Sequence, residues 1–347
     1  MTETSSEKPA IRVRHLWHRF GRFDVLQDVS FDVGHGEIFG FIGPNGAGKT
    51  TTIRVMSTLL EPLAGRVEVD GYDVTIDPNA VRRIIGYMPD HAGVYDRVTV
   101  REYLEFFTDA YRAPSAGHGG TDYAVVDAVM ELTDLTKLQS KLVATMSKGM
   151  KQRLQLARTL LHDPKVLILD EPASDLDPRA RIEMRELLVE LRALGKTIFL
   201  SSHILTELAD VCTSVAILER GRLIVSGPIS EISRRLEAAN QANQASQAAP
   251  EQQAPSALAQ VAPQRTLKLR VLSPGDAVVL ALRGMPNVHS VIPAAGSTVL
   301  VTYSGDEQMI AHIVRTLVLS HVHVTGVEPE RNELERIFLE VTKGEVQ

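Results

Sequence analysis

Two short stretches hold residue types that could act together on one ligand. Residues 43–51 read GPNGAGKTT and residues 166–172 read VLILDEP. The first fits the spacing G-x-x-x-x-G-K-[ST], in which glycines let the backbone curl round an anion. Gly43, Pro44, Asn45, Gly46, Ala47 and Gly48 form this loop. Its amides and the start of the following helix supply partial positive charge. Lys49 would reach the outer phosphates of a triphosphate, Thr50 would offer its hydroxyl to Mg²⁺, and Thr51 could donate to a phosphate. In the second stretch an apolar strand runs into Asp170 and Glu171. Asp170 would help hold the cation, through water, and Glu171 would polarise the water that attacks the γ phosphate. His203 follows another apolar stretch, TIFLSS, and is expected to reach the same phosphate. These residues imply a nucleoside triphosphate, ATP or a relative, as ligand.

Those side chains meet only if their strands end on one edge of a sheet. EIFGFIG (37–43), KVLILD (165–170) and TIFLSS (197–202) are short apolar strand candidates. A helix is expected over 48–60, and another, RIEMRELLVELRAL, over 181–194. Strands bracketing crossover helices predict a mainly parallel α/β sheet, which binds ligands beyond its strand carboxyl ends. Residues 11–34 read as short extended pieces about a turn at Gly21 and Arg22, 65–74 as surface β structure, and 214–228 as a closing hairpin. From Thr99 to Leu161 the pattern is mostly helical, broken by APSAGHGGT at 113–121. Within it lies MSKGMKQ (146–152), where Ser147 is a plausible helix cap.

Residues 238–264 are rich in Ala, Gln and Pro and read as a linker. Beyond them, strand candidates at 266–272, 289–294, 297–303 and 323–329 alternate with helices near 276–283 and 307–320. That order predicts a small α+β module of ferredoxin-like type over 265–347, closed by a helix over 331–341.

The chain has 347 residues, enough for one large domain and a smaller one. A net charge of −6 argues against non-specific nucleic-acid binding as the main task. The single cysteine, Cys212, excludes an internal disulfide framework and fits a reducing compartment. The N-terminus lacks the apolar core of a signal peptide, and no stretch approaches the ~18 apolar residues of a membrane span.

Taken in order, these pieces resemble the nucleotide-binding subunit of an ABC transporter. GPNGAGKTT is similar to Walker A, VLILDEP to Walker B, MSKGMKQ to the signature motif, SDLDP (174–178) to the D-loop, and His203 to the switch histidine. The resemblance implies a phosphate-loop core, an antiparallel β subdomain and a helical subdomain of about 91–160, together spanning 10–232. It implies that Phe20 stacks on adenine and that Asp90 stands where the family usually has the glutamine of its Q-loop, near the Mg²⁺. It implies a head-to-tail homodimer, with Ser147, Lys148, Gly149 and Met150 closing over ATP held by a second copy and Asp175 and Asp177 in the D-loop beside it. The segment 91–107 would touch a membrane-embedded partner, placing the subunit on the cytoplasmic face of the membrane. The letters YMPD and SKGMKQ resemble the ABC-2 type, mostly exporters with a separate permease. Two alternatives stay open at this level: a permease-independent ATPase acting on nucleic acid or ribosomes, and a weakly hydrolysing regulatory subunit.

Overall fold

The computed structural model describes residues 8–90, 93, 95–112, 123–204, 211–235, 264–272, 275–293, 298–305 and 307–329. The expected break at 113–121, all but the last residue of the linker, and the closing helix at 331–341 lie outside these residues. The chain divides into two compact units, whose described parts run over 8–235 and 264–329.

In the first unit a six-stranded sheet forms the centre. It comprises β3 (Ile38–Ile42), β6 (Ile85–Met88), β7 (Val166–Leu169), β8 (Thr197–Ser202), β9 (Ser214–Glu219) and β10 (Arg222–Pro228). Their spatial order is β10-β9-β3-β8-β7-β6, parallel throughout except for the β9–β10 hairpin at one edge. Every residue of β3 is buried, because both faces of the sheet are covered. Ile38 and Ile42 face one apolar core, and Phe39 and Phe41 face the other.

The core on the phenylalanine side joins the sheet to an antiparallel sheet ordered β2-β1-β4-β5. Its strands are β1 (Ile11–Phe20), β2 (Phe23–Val33), β4 (Ala64–Val69) and β5 (Tyr72–Asp73). Phe31 of β2 stacks on Phe39 and Phe199 at ring-centre distances of 5.6 and 5.9 Å, fastening one sheet to the other. The extended pieces expected to be short are in fact strands of 10 and 11 residues. Irregular pairing near Val13, Leu16 and His18 bends the pair, and bending lets a long strand wrap a core.

Helix α1 (Lys49–Met56) is shorter than the 48–60 expected. Thr58 adopts a left-handed backbone with φ 60°, and the amides of Leu59 and Leu60 turn back to the Arg54 carbonyl, ending the helix. The other core gathers α3 (Val100–Arg112), α4 (Ala124–Leu132), α5 (Lys148–Leu160) and α6 (Pro178–Ala193) against the second sheet face. Helix α2 (Pro78–Ile84) leads into β6.

The second unit contains β11 (Gln264–Val271), α7 (Gly275–Leu282), β12 (Val288–Pro293), β13 (Thr298–Ser304), α8 (Glu307–Leu319) and β14 (Val324–Pro329). Its antiparallel sheet is ordered β12-β13-β11-β14, the βαββαβ winding expected from the sequence. Strand β11 begins at Gln264, the last residue of the expected linker. Leu267, Leu269, Val299, Val301 and Tyr303 pack against Val278, Leu282, Ile313 and Leu317 of the two helices.

Candidate functional site

Parallel pairing brings the carboxyl ends of β3, β6, β7 and β8 to one edge, and the chemistry-bearing residues follow directly on each. Gly43 continues β3, Asp90 follows β6, Asp170 and Glu171 follow β7, and His203 follows β8. Of these, Asp90, Glu171 and His203 border a cleft of about 610 Å³. Phe20, Asn45, Gly46, Gly48, Lys49, Thr50, Thr51, Asp90, Glu171, Asp175 and His203, all singled out in the sequence, line it. Gly43, Pro44 and Ala47 complete the loop behind them, with the Ala47 amide donating to the Pro44 carbonyl at 3.1 Å.

The glycines at 43 and 48 answer a demand for close approach. A Cβ on Gly43 would lie 2.3 Å from the Leu218 carbonyl oxygen. Gly48 has φ 110°, and a Cβ there would meet a Leu26 methyl at 2.6 Å. Gly48 also caps α1 without any side-chain hydrogen bond. The first-turn amides therefore remain available to an anion.

Lys49 is only 6% exposed, yet its ammonium is well served. Its Nζ donates to the carbonyls of Gly43 at 2.7 Å and Pro44 at 3.3 Å, and stands 3.3 Å from Glu171 Oε1. The other oxygen of Glu171 meets His203 Nδ1 at 2.8 Å. Glu171 thus bridges Lys49 and His203, three residues widely separated in the chain. Its backbone is left-handed, with φ 51°. Its amide donates to Ser201 Oγ at 2.9 Å, and that hydroxyl donates to Asp170 Oδ1 at 2.6 Å. Ser201 escaped the sequence reading, although a hydroxyl inside an apolar strand signals a buried polar partner.

Asp170 lies beneath the cleft and is 1% exposed. Burial raises its pKa above the usual carboxylate range; hydrogen bonds from Ser201 and Thr50 oppose that rise, and the charges of Asp90 and Glu171 add to it. A carboxyl raised in this way opposes folding wherever it is ionised. The penalty is absent below the unfolded-state pKa and grows as pH climbs through the folded one. Asp170→Asn is therefore expected to raise the melting temperature of the nucleotide-free chain at neutral pH. The gain should vanish as pH falls towards about 4. A variant melting below wild type at pH 7 would show that the Ser201 and Thr50 hydrogen bonds outweigh the burial.

The donor set suits a hard cation. The Asp170 carboxylate and Thr50 hydroxyl lie together, with the Asp90 charge close enough to act on Asp170. Carboxylate and hydroxyl oxygens are what Mg²⁺ selects, and it completes its shell with phosphates and water.

Two aromatic rings stand at the mouth of the cleft. Phe20 and Phe23 pair across the β1–β2 turn and are 50% and 69% exposed. Phe23 was missed in the sequence, but its place two residues past Gly21 at a hairpin turn puts it opposite Phe20. His18 packs edge-on against Phe20 at 4.6 Å.

The signature residues are not among those lining this cleft. Ser147 caps α5, its hydroxyl accepting from the Met150 amide at 3.3 Å. Gly149 allows α5 to approach α6, since a Cβ would stand 3.0 Å from that of Ala180. Met150 packs against the apolar core beneath the helices, which is where a thioether belongs and an amide would not. Asp177 caps α6, accepting from the Ala180 amide at 2.9 Å. Lys148 turns to a carboxylate of its own chain. Its Nζ lies 2.7 Å from Asp175 Oδ2, and Asp175 lines the cleft.

Comparison with known proteins agrees with this geometry. Residues 26–174 match the family described as ABC transporter. The chain is 25% identical to the linearmycin resistance ATP-binding protein LnrL of Bacillus subtilis (strain 168) over 333 residues, 96% of this chain and 98% of that protein. It is 37% identical to the daunorubicin resistance ATP-binding protein DrrA3 of Streptomyces coeruleorubidus over 223 residues, 64% of this chain and 69% of that one. The solved structure of an ATP binding subunit of an ABC transporter superposes with a TM-score of 0.57 at 33% identity, covering 66% of this chain and 93% of its own. The phosphate-loop core, antiparallel sheet and helical subdomain are thus those of an ABC ATPase, and the chain belongs to the ABC transporter ATP-binding proteins, subunits that bind and hydrolyse ATP.

Proposed function

We propose that this subunit powers export through a separate membrane permease of the ABC-2 type, working as a homodimer closed by ATP. The observation that carries the hydrolytic part is the Lys49–Glu171–His203 chain at the sheet edge. An arriving triphosphate replaces Glu171 as the counter-ion of Lys49. Glu171, released on one side and still oriented by His203, then faces the water that attacks the γ phosphate. Asp170 and Thr50, with Asp90 nearby, would hold a Mg²⁺ ion, which would supply positive charge against the phosphates. Phe20 stacks on adenine with Phe23 beside it, while Ser147, Lys148 and Gly149 close over ATP held by a second copy. Asp175 and Asp177 shape the loop between these two sites.

Export is supported by the relatives, two of which are named for resistance to linearmycin and daunorubicin. The similarity to the first covers 96% of this chain, which supports reading the 265–347 module as an accessory domain. Among the described residues no helix is long and apolar enough to cross a membrane. A groove lined by Tyr95, Val98, Tyr103 and Phe106 on the helical subdomain, with Tyr95 and Phe106 exposed, is the surface offered to the permease.

The deciding experiment is mild detergent extraction of the tagged chain from its own cells, with identification of what co-purifies. A polytopic membrane protein that raises its ATPase activity is the expected result. A chain that stays wholly soluble, and whose ATPase rises with nucleic acid or ribosomes instead, would sink the transport reading. Base stacking predicts that Phe20→Ala raises the Kd for ATP by about fivefold, the low end of the ~1–3 kcal/mol such a contact is worth. An unchanged nucleotide titration would remove Phe20 from the base site.

A further inference from the structure

Lys148 and Asp175 form an ion pair across 27 positions of sequence, 2.7 Å apart, between the first residue of α5 and the loop after β7. Both side chains are largely exposed, at 53% and 70%. An exposed pair is screened by water and weakly held, so either partner exchanges readily when a stronger one arrives. Asp175 also keeps a left-handed backbone, φ 56°, a conformation that neighbours must hold in place for any residue with a Cβ. It lines the nucleotide cleft beside Ser174, Lys49 and Glu171. One lysine therefore ties the start of the signature helix to the wall of the cleft in the same chain.

We propose that this pair is an exchange relay: Lys148 leaves Asp175 for the phosphates of ATP held by a second copy, and Asp175, released, lets its own cleft wall change. The inference rests on the head-to-tail dimer of the proposed function. A triphosphate carries several negative charges against the single one of a carboxylate, so the exchange is downhill for a cation already at a helix start that favours anions. Before the second copy arrives, Asp175 neutralises Lys148 and keeps it from other anions. Afterwards the same ammonium counts as a nucleotide contact, and closure of one composite site is reported to the cleft of the opposite nucleotide.

The sign of two substitutions tests this. In the full-length chain carrying Glu171→Gln, the dimer dissociation constant is measured by sedimentation at saturating ATP. Adding Asp175→Asn removes the competitor and should tighten the dimer about fivefold, whereas adding Lys148→Ala removes the phosphate partner and should weaken it about fivefold, the scale of one screened charge pair. The chain with both changes should match Lys148→Ala alone, because Asp175 acts through Lys148. Lys148→Arg keeps the charge and should stay within about twofold of the parent. Shifts in the same direction for Asp175→Asn and Lys148→Ala, or plain additivity in the double variant, would overturn the exchange and leave a fixed strut. If the Glu171→Gln parent forms no dimer with ATP, the dimer reading fails and takes the relay with it, an outcome separable from parallel shifts in a chain that does dimerise.

Discussion

ATP turnover should fall at least about a hundredfold when Glu171 is replaced by Gln, the lower end of what a positioned general base contributes. The substitution keeps the shape and an oxygen for His203 to meet, now 2.8 Å from the carboxylate. It removes the negative charge that faces the water and the charge that now occupies Lys49 at 3.3 Å. Nucleotide binding should hold or tighten, because Lys49 no longer has a carboxylate to give up before it meets the phosphates. The variant should therefore accumulate as an ATP-bound dimer, visible by sedimentation, while steady-state phosphate release collapses. Turnover within twofold of wild type would eliminate Glu171 as the catalytic carboxylate. Loss of binding together with turnover would instead mark Glu171 as a support for the loop.

Lys49→Ala should raise the Kd for ATP by about tenfold or more, since charge-assisted hydrogen bonds contribute roughly 1.5–3 kcal/mol each. Turnover should fall with it. The side chain is nearly buried and serves two loop carbonyls as well as Glu171, so its loss also leaves a buried carboxylate with His203 as its remaining close partner. Lys49→Arg is expected to fail as well. The planar guanidinium carries its donors in a rigid fork and cannot replace a compact ammonium seated 2.7 Å from the Gly43 carbonyl. An unchanged nucleotide titration and an unchanged ATPase in Lys49→Ala would rule out this loop as the phosphate site.

Much of the site was legible because its chemistry is local. GPNGAGKTT needs only its own spacing and the strand and helix on either side to form an anion cradle. Asp170 and Glu171 at the end of VLIL were equally readable, because an apolar run that stops at two carboxylates is a strand ending at a ligand edge. The winding of the second unit was likewise open to inspection, since alternation and helical periodicity are properties of contiguous residues. Helix α1 was misjudged by four residues at its end, where a left-handed Thr58 turned the chain against its helical pattern.

What the sequence alone determined, then, is the set of reactive groups and the elements that carry them: the loop, the strand-end carboxylates, His203 and the capping Ser147. Tertiary structure decided who meets whom. Strand β3 lies between β8 and β9, far from it in the chain, and that order sets His203 and Lys49 on the two oxygens of Glu171. The same packing slips Ser201 between Asp170 and the Glu171 amide and turns Lys148 to Asp175. The reason is physical. Periodicity and turn chemistry act over a few residues, whereas the partner of a charged side chain is selected by sheet order and by which apolar faces bury together.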